Sequence, residues 1–547
     1  MKRLRRTQTV MAALVVIGAL SVSTTTVQGG PAEDAVRIAG KKITDNNPDV
    51  RAQAVEDLAR ANNKDGTKLM MQCLAGENDG PAGWRMAEAV RMLSSEEALE
   101  EVEKNVLKWN SPETLFGAYW TFLGLSGGGT ERGNQILRKA ITESKDKDIY
   151  IRSAAIEAMA GTERHDMADM LLQVLKTYQP DWDEDAPIIA LTCIQGAPKM
   201  VTTSDTAMRD NVVLALADVL EKTKDDRIQW FTCKALASIT GEDTYIDAEF
   251  WRWWVQMGGK KVERRDEGAT VAGRDVPKFF KAAAVGKRVV FVIDISGSMQ
   301  HPVELPPEMK NPPKEEPKDE PKGPVTGGGK KDEQDPEKEP PPPPDYSKVK
   351  TKLDLAKVEL IYTLENLPED YWFNIVIYHT PHSMIDNAND EFVQATDANK
   401  KRFIKKVEEL NWVNLTNIHG ALTRGFCVNK KDTIDPMKIG KRANNPAWDP
   451  ECLKTGGTTM FFLTDGSPTI SDDSTDIGQV GRPGGPMVGN GRFCQGQNIV
   501  DDVRRLNVFR KMVINTVGIG PHDGRLLEAL ARMSGGEYVD RSGVAPR

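Results

Sequence analysis

A chain of 547 residues with a formal net charge of −8 is too long for one hydrophobic core, since single domains close at about 100–200 residues. The mild acidity argues against a nucleic acid or an anionic membrane surface as partner. Both need a basic face, and basic residues cluster only at the N-terminus.

That N-terminus has the layout of an export signal. Lys2, Arg3, Arg5 and Arg6 precede an apolar stretch from Val10 to Val22, accompanied by small and polar residues (Ser21, Ser23, Thr24 to Thr26). The apolar core is shorter than the ~20 residues of a membrane span. Residues 1–28 are therefore expected to be a signal peptide, cleaved after Ser23 or a few residues later, with an uncleaved membrane anchor as the alternative. Both readings place the rest of the chain outside the cytoplasm: periplasmic, on the cell surface or secreted.

Through residues 33–245 a helical pattern recurs. Ala54-Val55-x-x-Leu58, Ala89-Val90-x-x-Leu93, Tyr119-Trp120-x-x-Leu123, Ala155-Ile156-x-x-Met159, Ala190-Leu191-x-x-Ile194 and Ala235-Leu236-x-x-Ile239 align at intervals of roughly 30 to 45 residues, the period of stacked helix pairs. Several blocks open on an acidic or Pro-containing turn, as in "NNPDVRAQAVEDLA". The pattern resembles HEAT repeats in degenerate form, which implies an α-solenoid whose pairs bury their apolar faces only by stacking. An irregular helical domain fits the same periodicity. "AEFWRWWVQMGG" (248–259) falls in a segment, 246–285, expected to hold a capping helix and a linker. There Trp251, Trp253 and Trp254 would close the stack against the next domain rather than form a ligand platform.

Residues 302–345 are rich in Pro, Glu and Lys and nearly free of large apolar side chains. Such an insert cannot bury enough surface to offset chain entropy, so it is expected to be disordered. Around it, strands and helices alternate over 286–540. Strands are expected at "VVFVID", "YWFNIVIY" (371–378), "TTMFFLTD" (458–465), "MVINTVGI" (512–519) and "GEYVD" (536–540). Helices are expected after Leu353, over ~397–410, from near Asn417, near 498–510 and over 525–533. This alternation implies a doubly wound, mostly parallel α/β sheet. Cys73, Cys193 and Cys233 sit in helical apolar phase, Cys427 and Cys452 are candidates for a disulfide in an exported protein, and no Cys/His spacing suggests zinc.

In an open parallel sheet, ligands bind beyond the carboxyl ends of the strands. Asp294, Ser296 and Ser298 stand at such an end, "NLTNIHGAL" brings Thr416 to the same edge, and "FFLTDGSPT" brings Asp465. Three hydroxyls and two carboxylates form a set of hard oxygen donors that suits Mg2+, or Mn2+ or Ca2+. These positions resemble the von Willebrand factor type A (VWA) domain with its metal-ion-dependent adhesion site (MIDAS), whose pattern is Asp-x-Ser-x-Ser, a distant Thr, and an Asp followed by Gly. "KLDLAKVEL", "NTVGIG" and "LARMSGGEYV" extend the resemblance across ~286–540. The resemblance implies a Rossmann-like fold. It also implies hydroxyl ligation by Ser296, Ser298 and Thr416, ligation by Asp294 and Asp465 directly or through water, and an open position for a partner protein's Asp or Glu. The expected function is non-enzymatic adhesion or protein binding. A metal-dependent hydrolase and a structural envelope protein are the alternatives. No Walker A loop, GxSxG or HExxH is present, and His379, His382 and His419 lack metal spacing.

Expression of the full chain should yield protein beginning near residues 24–31 outside the cytoplasm. N-terminal sequencing that finds an intact Met1 on soluble cytoplasmic protein would overturn the export reading.

Overall fold

The computed structural model describes residues 31–111, 114–143, 149–180, 187–202, 204–260, 276–305, 343–386, 391–413, 415–428, 456–469 and 493–542. The expected signal peptide, Cys452 and most of the 302–345 insert lie outside these residues. Among the described residues the chain is mixed α and α/β, with an all-helical N-terminal region followed by a mostly parallel sheet.

The helical region is two rows. Pro48–Ala61, Gly80–Arg91, Leu115–Gly128, Ile149–Gly161, Pro187–Met200 and Asp226–Thr240 pack each against the next. Lys64–Leu74, Glu96–Val106, Glu131–Thr142, Ala168–Lys176, Thr206–Lys222 and Ala248–Gln256 form the other row. Every one of the six aligned sequence blocks falls on the first row, and Ala54, Ala89, Tyr119, Ala155, Ala190 and Ala235 are all buried. Small residues at most of these positions let neighbouring helices approach closely. Caps fix the helix starts: Asn47, Asn63, Asp79, Ser95, Thr130, Asp205, Asp225 and Asp247 each accept a backbone N–H of the following first turn. Helix Leu115–Gly128 is buried continuously from Leu115 to Ser126. A helix apolar all round must be covered on every side, and this one lies between its neighbours in the row and the sheet-bearing part.

The sheet contains β3 (Arg288–Asp294), β4 (Trp372–Tyr378), β5 (His382–Met384), β6 (Val393–Gln394), β7 (Thr459–Thr464), β8 (Val513–Ile519) and β9 (Tyr538–Arg541), preceded by a small antiparallel pair, β1 (Lys278–Phe279) and β2 (Ala282–Ala283). Its order is β5-β4-β3-β7-β8-β9, with β6 also on β4. All neighbours are parallel except β5 and β6, which run antiparallel to β4. β3 is buried on both faces, as its unbroken apolar run requires. Val289, Phe291 and Ile293 face a core shared with helices Lys352–Glu365 and Asp397–Glu408. Val290 and Val292 face the other core, which is continuous with that of the helical region.

That continuity runs through helix Gly496–Asn507 and the turn after it. Phe509 packs between Phe116 and Tyr150, with ring centroids at 5.7 and 5.9 Å. Lys511 Nζ donates to Glu157 at 2.5 Å, and the Arg504 guanidinium lies over Trp84. The interface is thus built from first-row helices. The tryptophan-rich helix Ala248–Gln256 instead packs on Thr206–Lys222, with Trp251 donating to the Tyr245 carbonyl and Trp254 to Glu242. The indoles of Trp251 and Trp254 find partners within the helical region and Trp253 is exposed, whereas the sequence reading assigned all three to the junction.

At Gly80 the two parts approach closely: a Cβ there would lie 2.6 Å from Asp502 Cα and 2.8 Å from its nitrogen. Backbone cannot move as a flexible side chain can. Gly80→Ala should therefore lower stability by about 1–3 kcal/mol and split a single denaturant transition into two, read by tryptophan fluorescence. An unchanged single transition would show that the contact is not tight.

Candidate metal centre

The order of the sheet places β3 and β7 side by side while their chains leave in opposite directions, β3 toward β4 and β7 toward β8. A crevice between loops at such a switch point is where open α/β sheets hold ligands. Asp294 is the last residue of β3, and Asp465 follows the last residue of β7.

Both oxygens of Asp294 are held. Oδ1 accepts the Ser296 N–H at 2.7 Å, which curls the loop back on the strand end, and Oδ2 accepts the Thr464 hydroxyl at 2.7 Å. Ser296 and Ser298 hydroxyls lie 3.1 Å apart, and Ser298 donates to Asp465 Oδ1 at 2.6 Å. Asp465 Oδ2 accepts Lys352 Nζ at 2.7 Å. Four of the five sequence-predicted residues therefore form one hydrogen-bonded chain.

Thr416 is not part of that chain; its backbone bonds to the segment that follows Asp465. Its N–H donates to Thr469 Oγ1 at 2.9 Å and its carbonyl accepts the Thr469 N–H at 3.0 Å, which stitches the segment after Asp465 to the start of helix Ile418–Cys427. Asn417 caps that helix, accepting the Gly420 N–H at 2.9 Å and donating to the Thr380 carbonyl at 3.0 Å. A Cβ on Gly420 would sit 2.7 Å from Asn417 and from His382 Cδ2, so the close start of this helix requires glycine.

Asp294, Ser296, Thr416 and Asp465 are all buried, and Ser298 is half-buried. Burial first, and then the Asp465 carboxylate, push Asp294 up to about 7. The same burial, with the Asp294 charge beside it, raises the Tyr378 phenol, whose hydroxyl donates to the Leu463 carbonyl at 3.1 Å. Two desolvated carboxylates next to hydroxyl oxygens are a donor set that a small hard cation fits, because such an ion relieves the carboxylate repulsion and accepts the hydroxyl lone pairs.

The histidines near this edge are packed. His419 Nε2 lies 3.0 Å from Asp502 Oδ2 in a buried pair. Burial pushes the Asp502 carboxyl up, but Arg505 and His419 together outweigh it and hold Asp502 well below the ordinary range. Burial, then Arg424 and His419, lower His382 to about 4, so it is neutral at pH 7. Among the described residues no group of three or more His, Cys, Asp or Glu gathers as a metal cluster; the oxygen site has two carboxylates, and hydroxyls supply the rest. Cys427 is buried, its thiol 3.2 Å from the Thr423 carbonyl. Sequence reasoning missed Lys352, Thr464 and Thr469. "KLDLAK" and the hydroxyls flanking Asp465 were visible, but only the fold brings them to the strand ends.

No protein-family model matches the chain, and no curated protein matches it. Among solved structures, a von Willebrand factor type A protein from Catenulispora acidiphila is similar at 14% identity over 47% of this chain and 39% of its own, with a TM-score of 0.26. The PilB minor pilin from Streptococcus sanguinis is similar at 15% identity over 48% of this chain and 59% of its own, also with a TM-score of 0.26. This chain thus spans less than two thirds of either neighbour, and likenesses at these scores carry no argument about its function.

Because Asp294 holds its proton to about 7 in the fold but to 3.8 as a free side chain, the native state binds the extra proton between those values. Stability must then fall as pH rises through that window, with the loss complete above the folded pKa. In chelator-treated protein, the stability of wild type relative to Asp294→Asn should decline from about pH 4 to about pH 7. A difference that stays flat across this range in urea titrations would contradict the assignment.

Proposed function

We propose that the chain is an exported, non-enzymatic binding protein whose VWA-like domain uses a divalent cation to recognise an acidic residue of a partner protein. The observation that carries this reading is the hydrogen-bonded run Asp294–Ser296–Ser298–Asp465 across the switch point of β3 and β7. Asp294, Ser296, Ser298, Thr416 and Asp465 would hold Mg2+, or Mn2+ or Ca2+, as hard oxygen ligands. The cation would supply a positive point charge with an open position, which a carboxylate from outside would fill.

Binding is the reading preferred over turnover because two histidines near the site are not placed to act on a ligand there. His419 is tied to Asp502, and His382 is buried and neutral at pH 7. The two rows of helices, in the proposed reading a HEAT-like solenoid, would offer a second protein-binding surface. No helix among the described residues is long and apolar enough to cross a membrane; export rests on the basic and apolar N-terminus. A purely structural site is the second reading, favoured by one observation: Lys352 already supplies a positive charge to Asp465.

Calorimetry on the full chain separates the two. Asp294→Ala should abolish high-affinity Mg2+ or Mn2+ binding, and Ser296→Ala should weaken it strongly, since water replaces a fixed oxygen ligand poorly. Retention of partner proteins from surface or periplasmic extracts should require Mg2+ and cease with EDTA. If wild type and Asp294→Ala take up Mg2+ alike, the adhesive reading is lost.

A further inference from the structure

Lys352 is an unusual choice for its place. It is the first residue of helix Lys352–Glu365, where the helix dipole disfavours a positive charge and the acidic capping residue Asp354 is the ordinary occupant of the first turn. It is also buried, with side-chain exposure of 7% against 0% for its partner Asp465. A lysine in so unfavourable a setting is retained only if its ammonium has a strong local partner. The surrounding backbone is shaped to let it reach one. Gly520, after the end of β8, has φ +65°, and a Cβ there would lie 2.7 Å from Lys352 Cε and 3.0 Å from Nζ. The stem thus lies in a slot that exists because residue 520 has no side chain. The helix start is pinned as well: Lys352 N–H donates to the His301 carbonyl at 3.0 Å, and Thr351 bridges Pro302. These contacts hold the lysine on one oxygen of Asp465 while Ser298 donates to the other.

We propose that Lys352 is a built-in counter-cation that makes divalent-metal binding at this site depend on the partner's carboxylate. The proposal rests on the metal-site reading above. Its basis is charge. With a metal bound both carboxylates are ionised, and with one ammonium they carry a single negative charge, so a divalent ion alone gives the buried site a net positive charge. An external carboxylate restores neutrality. Metal and acidic ligand therefore bind with positive linkage, each tightening the other by the same factor. Without Lys352 the two carboxylates balance the ion by themselves, and the external acid adds an unneeded negative charge. Lys352 in this role is a positioning and affinity-setting residue that never touches the partner.

The test is calorimetric titration of Mg2+ into the full chain, with and without acetate as the carboxylate probe, for wild type, Lys352→Met and Asp294→Ala. Lys352→Met should bind Mg2+ at least about 10-fold more tightly than wild type in the absence of acetate, as removal of a close like charge predicts. Acetate should tighten Mg2+ binding to wild type and have little effect on Lys352→Met. Gly520→Ala, which fills the slot while keeping the lysine, should move the affinity in the same direction, and thermal melts confirm that each variant is folded. Equal Mg2+ affinities in wild type, Lys352→Met and Gly520→Ala, all lost in Asp294→Ala, would overturn the role of Lys352 and leave the metal site standing. Absence of Mg2+ binding from all of them, Lys352→Met included, would remove the metal site itself and the proposal with it.

Discussion

The structure turns on the burial of two carboxylates at the ends of neighbouring parallel strands. Asp294 and Asp465 are both withdrawn from water, and each carries obligations that the surrounding chain must meet. Asp294 is met by a backbone N–H and a threonine hydroxyl, and Asp465 by a serine hydroxyl and a lysine. The geometry of three loops follows. The loop after β3 must curl so that Ser296 N–H reaches back, the helix after it must begin with Lys352 toward the edge, and β7 must end on Thr464. Ordinary surface loops have no such need, since water would solvate the acids.

Much of this edge was legible in the sequence, for a physical reason. A strand buried on both faces reads as an unbroken apolar run, and its end is announced by the first polar residue. "VVFVID" and "FFLTD" therefore located Asp294 and Asp465 to the residue. Asn417 likewise announced a helix start, because a side chain that caps must precede the first turn. The Lys352–Asp465 pair was not legible. Its members are 113 residues apart, and a lysine opening an amphipathic helix reads as solvated until the slot beside Gly520 is known. The strands β5 and β6 were missed because elements of three and two residues carry no periodicity. The contact between the helical region and the sheet was missed for a different reason. Phe116, Tyr150 and Phe509 look like ordinary core residues in sequence, and nothing local distinguishes a side chain that packs within its own unit from one that packs on another.

That contact bears on the edge more directly than its position suggests. Helix Ile418–Cys427 starts one residue after Asn417, and its first turn places His419 against Asp502 on helix Gly496–Asn507. Asp502 Oδ1 in turn accepts Arg505 Nε at 2.9 Å and the Gly80 N–H at 3.3 Å. Gly80 opens a helix of the N-terminal region, so its N–H is one of the donors that a helix start leaves without an internal acceptor. A single carboxylate thus serves a helix from each part and a histidine between them, and its low proton affinity keeps it charged for all three.

The loop bearing Thr416 is consequently gripped from two sides. On one side Asn417 bonds to the His379 and Thr380 carbonyls just beyond β4. On the other, His419 is fixed to an anchor that the helical region helps to hold. Loosening that region would free the first turn of helix Ile418–Cys427, and the loop bearing Thr416 would lose one of its supports. The proposed cation site would tolerate little error in oxygen positions, least of all for an ion as small as Mg2+. The helical rows are therefore part of what positions the edge. This is a physical reason for two units of such different construction to share one continuous core.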